Sequence, residues 1–233
     1  MQQLTEMDTN FLQQESARTP MHISPVIVYD QSARAGGKVR FKEILTVFER
    51  NLHKSAIFRR NLAGGALGLD TPYWVEDPDF DLEFHVRHLA LPKPGDWRQF
   101  CILLARLQAR GLDMKRPLWE AYVIEGLDNI PGIPKGSFAF YTKFHHAAID
   151  GEGGTEVMRA IHSFSVDEAN RDEGPRRSRV RDREPTQIEL YTRALVNNVQ
   201  RVPRAARFSL QTATRLAGIG AGYAGQMKAL LQQ

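Results

Sequence analysis

The sequence predicts an α/β or α+β fold, a sheet layered with helices. Three observations lead there. Apolar residues recur at helical spacing in two separate stretches, they alternate at period two between those stretches, and two longer apolar runs with strand character follow. With 233 residues, 42% hydrophobic and 25% charged, the chain sits within the ordinary globular range and carries enough apolar side chains for a sizeable core. Cys101 is the only cysteine. That excludes an intrachain disulfide and a cysteine-rich zinc site, and makes a reducing compartment the expected home.

Taken in order, Lys42 to Lys54 places Ile44, Leu45, Phe48 and Leu52 on one stripe, which predicts a helix. Gly64-Gly65 predicts a hairpin turn between Arg59–Ala63 and the segment entering Trp74. Phe80, Leu82, Phe84 and Val86 alternate with Asp81, Glu83, His85 and Arg87, the period of a half-buried strand. Asp96 is a candidate N-cap for a helix in which Trp97, Phe100, Leu103, Leu104 and Leu107 face one way until Gly111 ends it. Pro117 to Glu125 and Gly136 to His146 read as strands joined by a loop holding Pro131, Gly132 and Pro134, and Thr155 to Phe164 continues with a helical pattern. No internal repeat is visible at the usual periods.

Residues 167 to 185 hold six acidic residues and six arginines among nineteen positions and almost no apolar side chain, which predicts a solvated linker. Beyond it, Ile188, Tyr191, Leu195, Val199 and Val202 recur at helical spacing, and Phe208, Leu216, Ile219 and Tyr223 form a second amphipathic stretch weakened by Gly218 to Gly225. The expected organisation is a domain over residues 1–166, a charged linker over 167–185 and a helical connection over 186–233.

The net charge of +4 divides unevenly. Residues 186 to 233 carry Arg193, Arg201, Arg204, Arg207, Arg215 and Lys228 against Glu189 alone, whereas the first 185 residues hold 25 basic and 26 acidic residues. Such a body has no basic footprint for nucleic acid. Met1 to Asp8 includes Glu6 and Asp8 and leads into no apolar stretch, so no secretory signal is expected. The longest apolar runs, such as Cys101 to Ala105, fall far short of the roughly 18 residues of a membrane span.

The sharpest local feature is His145-His146-Ala147-Ala148-Ile149-Asp150-Gly151. Read as a strand, Phe138, Phe140, Thr142, Phe144 and His146 share one face and Ala139, Tyr141, Lys143 and His145 the other. His146 emerges where the phenylalanine face runs out. A neutral imidazole there is suited to accept a proton from a hydroxyl, its ordinary pKa lying close to working pH. No Ser or Cys stands in a nucleophile-elbow context, so direct attack by a bound substrate is the simpler chemistry. For Asp150 a structural role, bonding local backbone or pairing an arginine beside the permissive Gly151, is favoured over a catalytic one. His85, His88 and His162 read as packed histidines. A metal site at His145, His146 and Asp150 is the weaker alternative, because adjacent strand residues point to opposite faces and zinc needs three or four convergent ligands. Gly151, Gly153 and Gly154 match neither a P-loop nor a dinucleotide fingerprint.

His145-His146-x-x-x-Asp150-Gly151 resembles the HHxxxDG motif of the chloramphenicol-acetyltransferase-like acyltransferases. The flanks narrow the resemblance: Leu4-Thr5-x-x-Asp8-x-x-Phe11-Leu12, Glu15, Pro20-Met21-His22, Arg116-Pro117-Leu118-Trp119-Glu120 and Lys143 are similar to the bacterial wax ester synthase/acyl-CoA:diacylglycerol acyltransferase family. The resemblance runs from Leu4 to Phe164 and more loosely through the tail. It implies a chloramphenicol-acetyltransferase-like α/β sandwich, one half of a two-domain enzyme whose active site lies between the halves, so that a C-terminal half is an expected partner. It implies transfer of a fatty acyl group from acyl-CoA to a long-chain alcohol or to diacylglycerol, with acyl-CoA as co-substrate, no cofactor and no metal. His146 is then the base and His145 its neighbour, while Asp150 keeps the loop in shape. Gly151, Pro117, Leu118 and Trp119 line a substrate channel or hold structure, and for Trp119 plain core is an equal reading. The same motif occurs in peptide-synthetase condensation domains, which form amides. A non-catalytic lipid-surface module built on the basic tail is the third reading. The expected location is cytoplasmic, peripherally attached to membrane or lipid inclusions.

Overall fold

The computed structural model describes residues 2–34, 37–64, 71–149, 151–162, 186, 188–193 and 196–197. The chain forms two compact units, residues 1–64 with 71–184, and residues 65–70 with 185–233. The first contains β1 (Gln2–Gln3), α1 (Glu6–Gln14), β2 (His22–Ile23), β3 (Val26–Tyr29), α2 (Phe41–Asn51), β4 (Arg60–Ala63), β5 (Tyr73–Glu76), α3 (Leu82–His85), β6 (Val86–Ala90), α4 (Trp97–Ala109), β7 (Trp119–Glu125), β8 (Phe138–His145) and α5 (Gly151–Ile161). Strands and helices are interspersed along the chain, and the class is α/β.

β8 is the middle strand of the larger sheet. It pairs antiparallel with β7, with Trp119 opposite Phe144 and Tyr122 opposite Tyr141. Along its other edge it pairs antiparallel with both β2 and β3, so that His22 stands opposite His145 and Ile27 opposite Phe140. β6 runs parallel to β7 and closes the far side. Every residue of β8 is buried. On one face Phe138, Phe140 and Phe144 join Phe48, Phe58, Trp119, Val157 and Ala160 in a core to which α2 and α5 contribute. On the other face Ala139 and Tyr141 join Tyr122, Ile124, Phe100 and Leu107, so α4 covers that side. Burying one such aromatic or aliphatic side chain contributes about 1.5–3 kcal/mol, and two such cores fix both layers against the sheet.

The helices form where the apolar stripes place them. α2 runs into a 3₁₀ turn over Leu52–Lys54, as the Lys42–Lys54 stripe predicts. α4 begins at its expected cap: the Asp96 carboxylate accepts the Gln99 N–H at 2.8 Å, and the Gln99 side chain returns to the Asp96 N–H at 3.4 Å. Trp97 departs from the expected stripe. It is 56% exposed, in the first turn of α4, and its indole meets the Phe100 ring at 5.7 Å between centroids. Cys101 is exposed on the same helix. Just before α4, Gly95 has φ +73°, and a Cβ there would stand 2.0 Å from the Gly126 carbonyl oxygen, so only glycine fits.

One expectation needs correction. Residues 80–86 do not form a strand. The Asp81 carboxylate accepts the N–H groups of Glu83 at 3.0 Å and Phe84 at 3.3 Å and nucleates the single turn of α3, so the strand starts only at Val86. Alternation and one helical turn both carry Phe80 and Leu82 to the core, but the turn also buries His85, which an alternating strand would expose. The hairpin of β4 and β5 pairs antiparallel as the sequence predicts, with Ala63 opposite Tyr73 and Leu62 opposite Trp74. Gly65 lies outside the described residues.

In the second unit, Thr186 and Glu189 form a reciprocal cap: the Glu189 carboxylate accepts the Thr186 N–H at 2.8 Å and the Thr186 hydroxyl accepts the Glu189 N–H at 3.3 Å. Residues 188–193 are helical as the spacing predicts. The buried position is Leu190, whereas Ile188 and Tyr191 of the expected stripe are exposed, so the buried face is turned from the one periodicity marks. The 167–185 segment, Leu195, Val199, Val202, the 208–223 stretch and the arginines from Arg201 to Arg215 lie outside the described residues.

Candidate active site

The end of β8 is held on both edges as it leaves the sheet. The His145 N–H donates to the Leu118 carbonyl at 3.0 Å and the His146 N–H to the Met21 carbonyl at 2.8 Å. The chain then tightens into a 3₁₀ turn over His146–Ala148, so the two histidines separate. His145 stays on the face of Tyr141 and Lys143 and is completely buried. Its Nδ1 accepts the Ala147 N–H at 2.9 Å. In the neutral ring the proton is therefore assigned to Nε2, which lies 3.2 Å from Glu15 Oε2. The other carboxylate oxygen, Oε1, lies 3.3 Å from His22 Nε2. The Met21 N–H completes the group by donating to Oε2 at 2.5 Å.

Burial pushes the pKa of both His145 and His22 down, against the upward pull of Glu15. His22 also feels Lys143, and His145 feels both neighbouring imidazoles, all of which disfavour a second proton. Two neutral rings on one carboxylate are the outcome. His146 is different. It is half-buried, and one face of its ring stacks on Phe11 with centroids 4.8 Å apart and planes 18° from parallel. α1 supplies that cover: the Thr5 hydroxyl accepts the Asp8 N–H at 3.1 Å, the Asp8 carboxylate accepts the Thr5 N–H at 3.3 Å, and this cap starts the helix so that Phe11 and then Glu15 reach β8. Phe11 thus covers one face of the half-buried His146 ring.

Below His145 on the same face lies a buried ionic group. Lys143 Nζ donates to the carbonyls of Leu107 at 3.0 Å and Arg110 at 2.6 Å, at the C-terminal end of α4, and lies 3.5 Å from Glu120 Oε2. Glu120 accepts the Tyr122 hydroxyl at 2.6 Å and an Arg110 N–H at 3.0 Å, with Arg87 3.5 Å away. Burial raises the Glu120 carboxyl, but the Tyr122 hydroxyl and the three cations outweigh it and hold it below the usual range. Burial pulls Lys143 down. These groups position β7 and β8 against α4.

Pro117, Leu118 and Trp119 are buried. The indole N–H of Trp119 donates to the Phe58 carbonyl at 3.0 Å, and its ring lies between His85 at 4.7 Å and Phe48 at 5.7 Å. His85 Nδ1 lies 2.7 Å from the Trp119 carbonyl. Trp119 is core, and so is Leu118, whose carbonyl accepts the His145 N–H. Gly151 opens α5. Asp150 lies outside the described residues. Among the described residues no group of three or more His, Cys, Asp or Glu is arranged to hold a metal ion. In the sequence, Glu15 and His22 stand only among the residues that carry the family resemblance, with no task of their own. Their contact with His145 spans most of the domain.

The layered sheet is the chloramphenicol-acetyltransferase-like sandwich. A solved condensation domain, the first of the calcium-dependent antibiotic synthetase, shares the fold with TM-score 0.52 at 13% identity, over 69% of this chain and 36% of that one. The wax ester synthase/diacylglycerol acyltransferase of Marinobacter aquaeolei VT8 matches with TM-score 0.51 at 30% identity, over 67% of this chain and 36% of that one. A Mycobacterium tuberculosis protein named "Probable diacyglycerol O-acyltransferase tgs3" is 40% identical over 148 residues, 64% of this chain and 51% of its own length. Another protein of that species, also named as a diacylglycerol O-acyltransferase, is 36% identical over 72% of this chain and 34% of its own length. The family model for the wax ester synthase/diacylglycerol acyltransferase catalytic domain matches residues 4–232, and the chain belongs to that family. It spans about half the length of the first of these relatives and about a third of the second.

Proposed function

We propose that the protein transfers a fatty acyl group from acyl-CoA to the hydroxyl of diacylglycerol or of a long-chain alcohol, with His146 as the general base. The hydroxyl gives its proton to the imidazole as its oxygen bonds to the thioester carbonyl carbon. The carbon–sulfur bond then breaks, and the CoA sulfur leaves with the proton His146 has held. The observation that carries this reading is the placement of His146, half-buried at the end of the central strand with one ring face closed by Phe11. The names of the Marinobacter and Mycobacterium relatives supply the substrate class. In this reading Asp150 holds the loop after the 3₁₀ turn, and a C-terminal half closes the second wall of the site.

The test is formation of labelled triacylglycerol or wax ester from palmitoyl-CoA with diolein or hexadecanol, using the natural full chain. His146→Ala is expected to lower turnover by about a hundredfold, the scale of general-base help, with the melting temperature unchanged. Wild-type turnover in that variant removes His146 from the mechanism.

The acceptors dissolve in lipid, and among the described residues no helix is long and apolar enough to cross a membrane. We assign surface attachment to the basic tail, in which Arg201, Arg204 and Arg207 accompany apolar residues at helical spacing. Binding to anionic vesicles is expected to weaken as salt rises and when these three arginines become Gln. Binding indifferent to both assigns the tail to packing between domains.

A further inference from the structure

We infer that Glu15 is a positioning residue for His146, acting through His145 and through the Met21–His22 segment, and that it acts by the reach of its two oxygens. This rests on His146 being the base. Glu15 caps the end of α1, its N–H donating to the Phe11 carbonyl at 3.1 Å. One helix end thus delivers both the ring that covers His146 and the carboxylate that anchors its surroundings. Oε2 takes two contacts, His145 Nε2 at 3.2 Å and the Met21 N–H at 2.5 Å, while Oε1 takes one, His22 Nε2 at 3.3 Å.

Each contact leads to the turn that holds His146. His145, fixed by Oε2, accepts the Ala147 N–H through Nδ1 at 2.9 Å. Met21, fixed by the same oxygen, accepts the His146 N–H through its carbonyl at 2.8 Å. The turn is gripped from two sides by groups that both depend on Glu15. Were His145 to carry its proton on Nδ1, that N–H would face the Ala147 N–H and the grip on that side would open.

The geometry separates reach from charge. Glutamine keeps the length and one carbonyl oxygen, enough to take the His145 and Met21 contacts of Oε2. Its amide NH₂ then falls opposite His22 Nε2, which accepts it once His22 moves its proton to the other ring nitrogen. Aspartate keeps the charge but is one methylene shorter and cannot span both rings.

In the natural full chain, Glu15→Gln is expected to keep kcat within about threefold of wild type. Glu15→Asp is expected to lower kcat at least tenfold with KM for palmitoyl-CoA changed by less than threefold. Amide exchange at His146 and Ala147 should quicken at least tenfold in Glu15→Asp and stay protected in Glu15→Gln, with the Trp119–Glu125 amides as an internal standard for global stability. Any other order of the two variants, the aspartate form faster or the two equal, overturns the inference, as does loss of protection spread evenly over the sheet. The exchange measurement needs no turnover, so it still reads the grip if His146→Ala proves fully active. That result would defeat the proposed mechanism while leaving the fate of Glu15 legible.

Discussion

On one face of β8, Phe138, Phe140 and Phe144 meet Phe48, Trp119 and Val157. On the other, Tyr141 donates to Gln108, Lys143 meets Glu120 and His145 meets Glu15. Both faces are buried along the whole strand, yet they do different work. The aromatic face is held by area and shape, so its contribution comes almost wholly from burial. On the other face the charge pairs add little to what the Tyr141 core contributes, since desolvating the charges offsets most of what their pairing returns. What this face provides is direction: Tyr122 and Arg110 on Glu120, the Leu107 and Arg110 carbonyls on Lys143, and the Ala147 N–H on His145 fix the polar groups beside the turn that bears His146.

The largest test removes the centre of the aromatic face. Trp119→Ala is expected to cost about 3–5 kcal/mol, read as a fall in the denaturation midpoint, because it empties a site walled by Phe48, Phe58, His85 and Phe144. A cost below about 1 kcal/mol would mean that packing on this face is looser than described.

Acid sharpens the contrast. His22, His85, His145 and His162 all have their pKa lowered by burial. The folded protein therefore binds fewer protons than the unfolded chain, and the stability these groups contribute is full above the unfolded value near 6.5 and is lost as pH falls below it. Urea midpoints at successive pH values should decline from about pH 6.5 downward. Replacing His85, whose ring is stacked between Phe80 and Trp119, with Phe should remove part of that decline and leave the part due to His22 and His145. A midpoint flat to pH 5 would show that these rings take up protons in the fold as readily as in the unfolded chain.

The smallest effect belongs to neither face. Asp96→Ala deletes the cap of α4 and is expected to cost about 1 kcal/mol by the same midpoint measurement. A larger loss would tie the entry of α4 to the Glu120 group at its other end.

Much of this was legible in residue order. α4 falls where Asp96 and the apolar stripe place it, and β7 and β8 lie within the runs that predict them, because each signal is local and tertiary packing agrees with it. Where two local readings satisfy the same apolar positions, a single hydrogen-bonding side chain decides, as Asp81 does for residues 80–86. The site divides along the same line. The paired histidines stand together in the chain and announce a strand end, whereas Glu15 acquires its meaning only when α1 is laid across that end. A carboxylate in a loop has no periodicity to betray it.

The central place of β8 has a consequence for how the molecule comes into being. Its neighbours β2, β3 and β7 are all synthesised before it, and each has an edge that only β8 can fill. Residue 22 must wait for residue 145 to leave the ribosome, a delay on the order of ten seconds at about 5–20 residues per second. Until then the nascent chain carries open strand edges and the aromatic half of a core, surfaces that invite premature association and the attention of chaperones. When β8 arrives it closes the sheet, seals both cores and brings Glu15 to His145, so the setting of the paired histidines is complete only when the fold is.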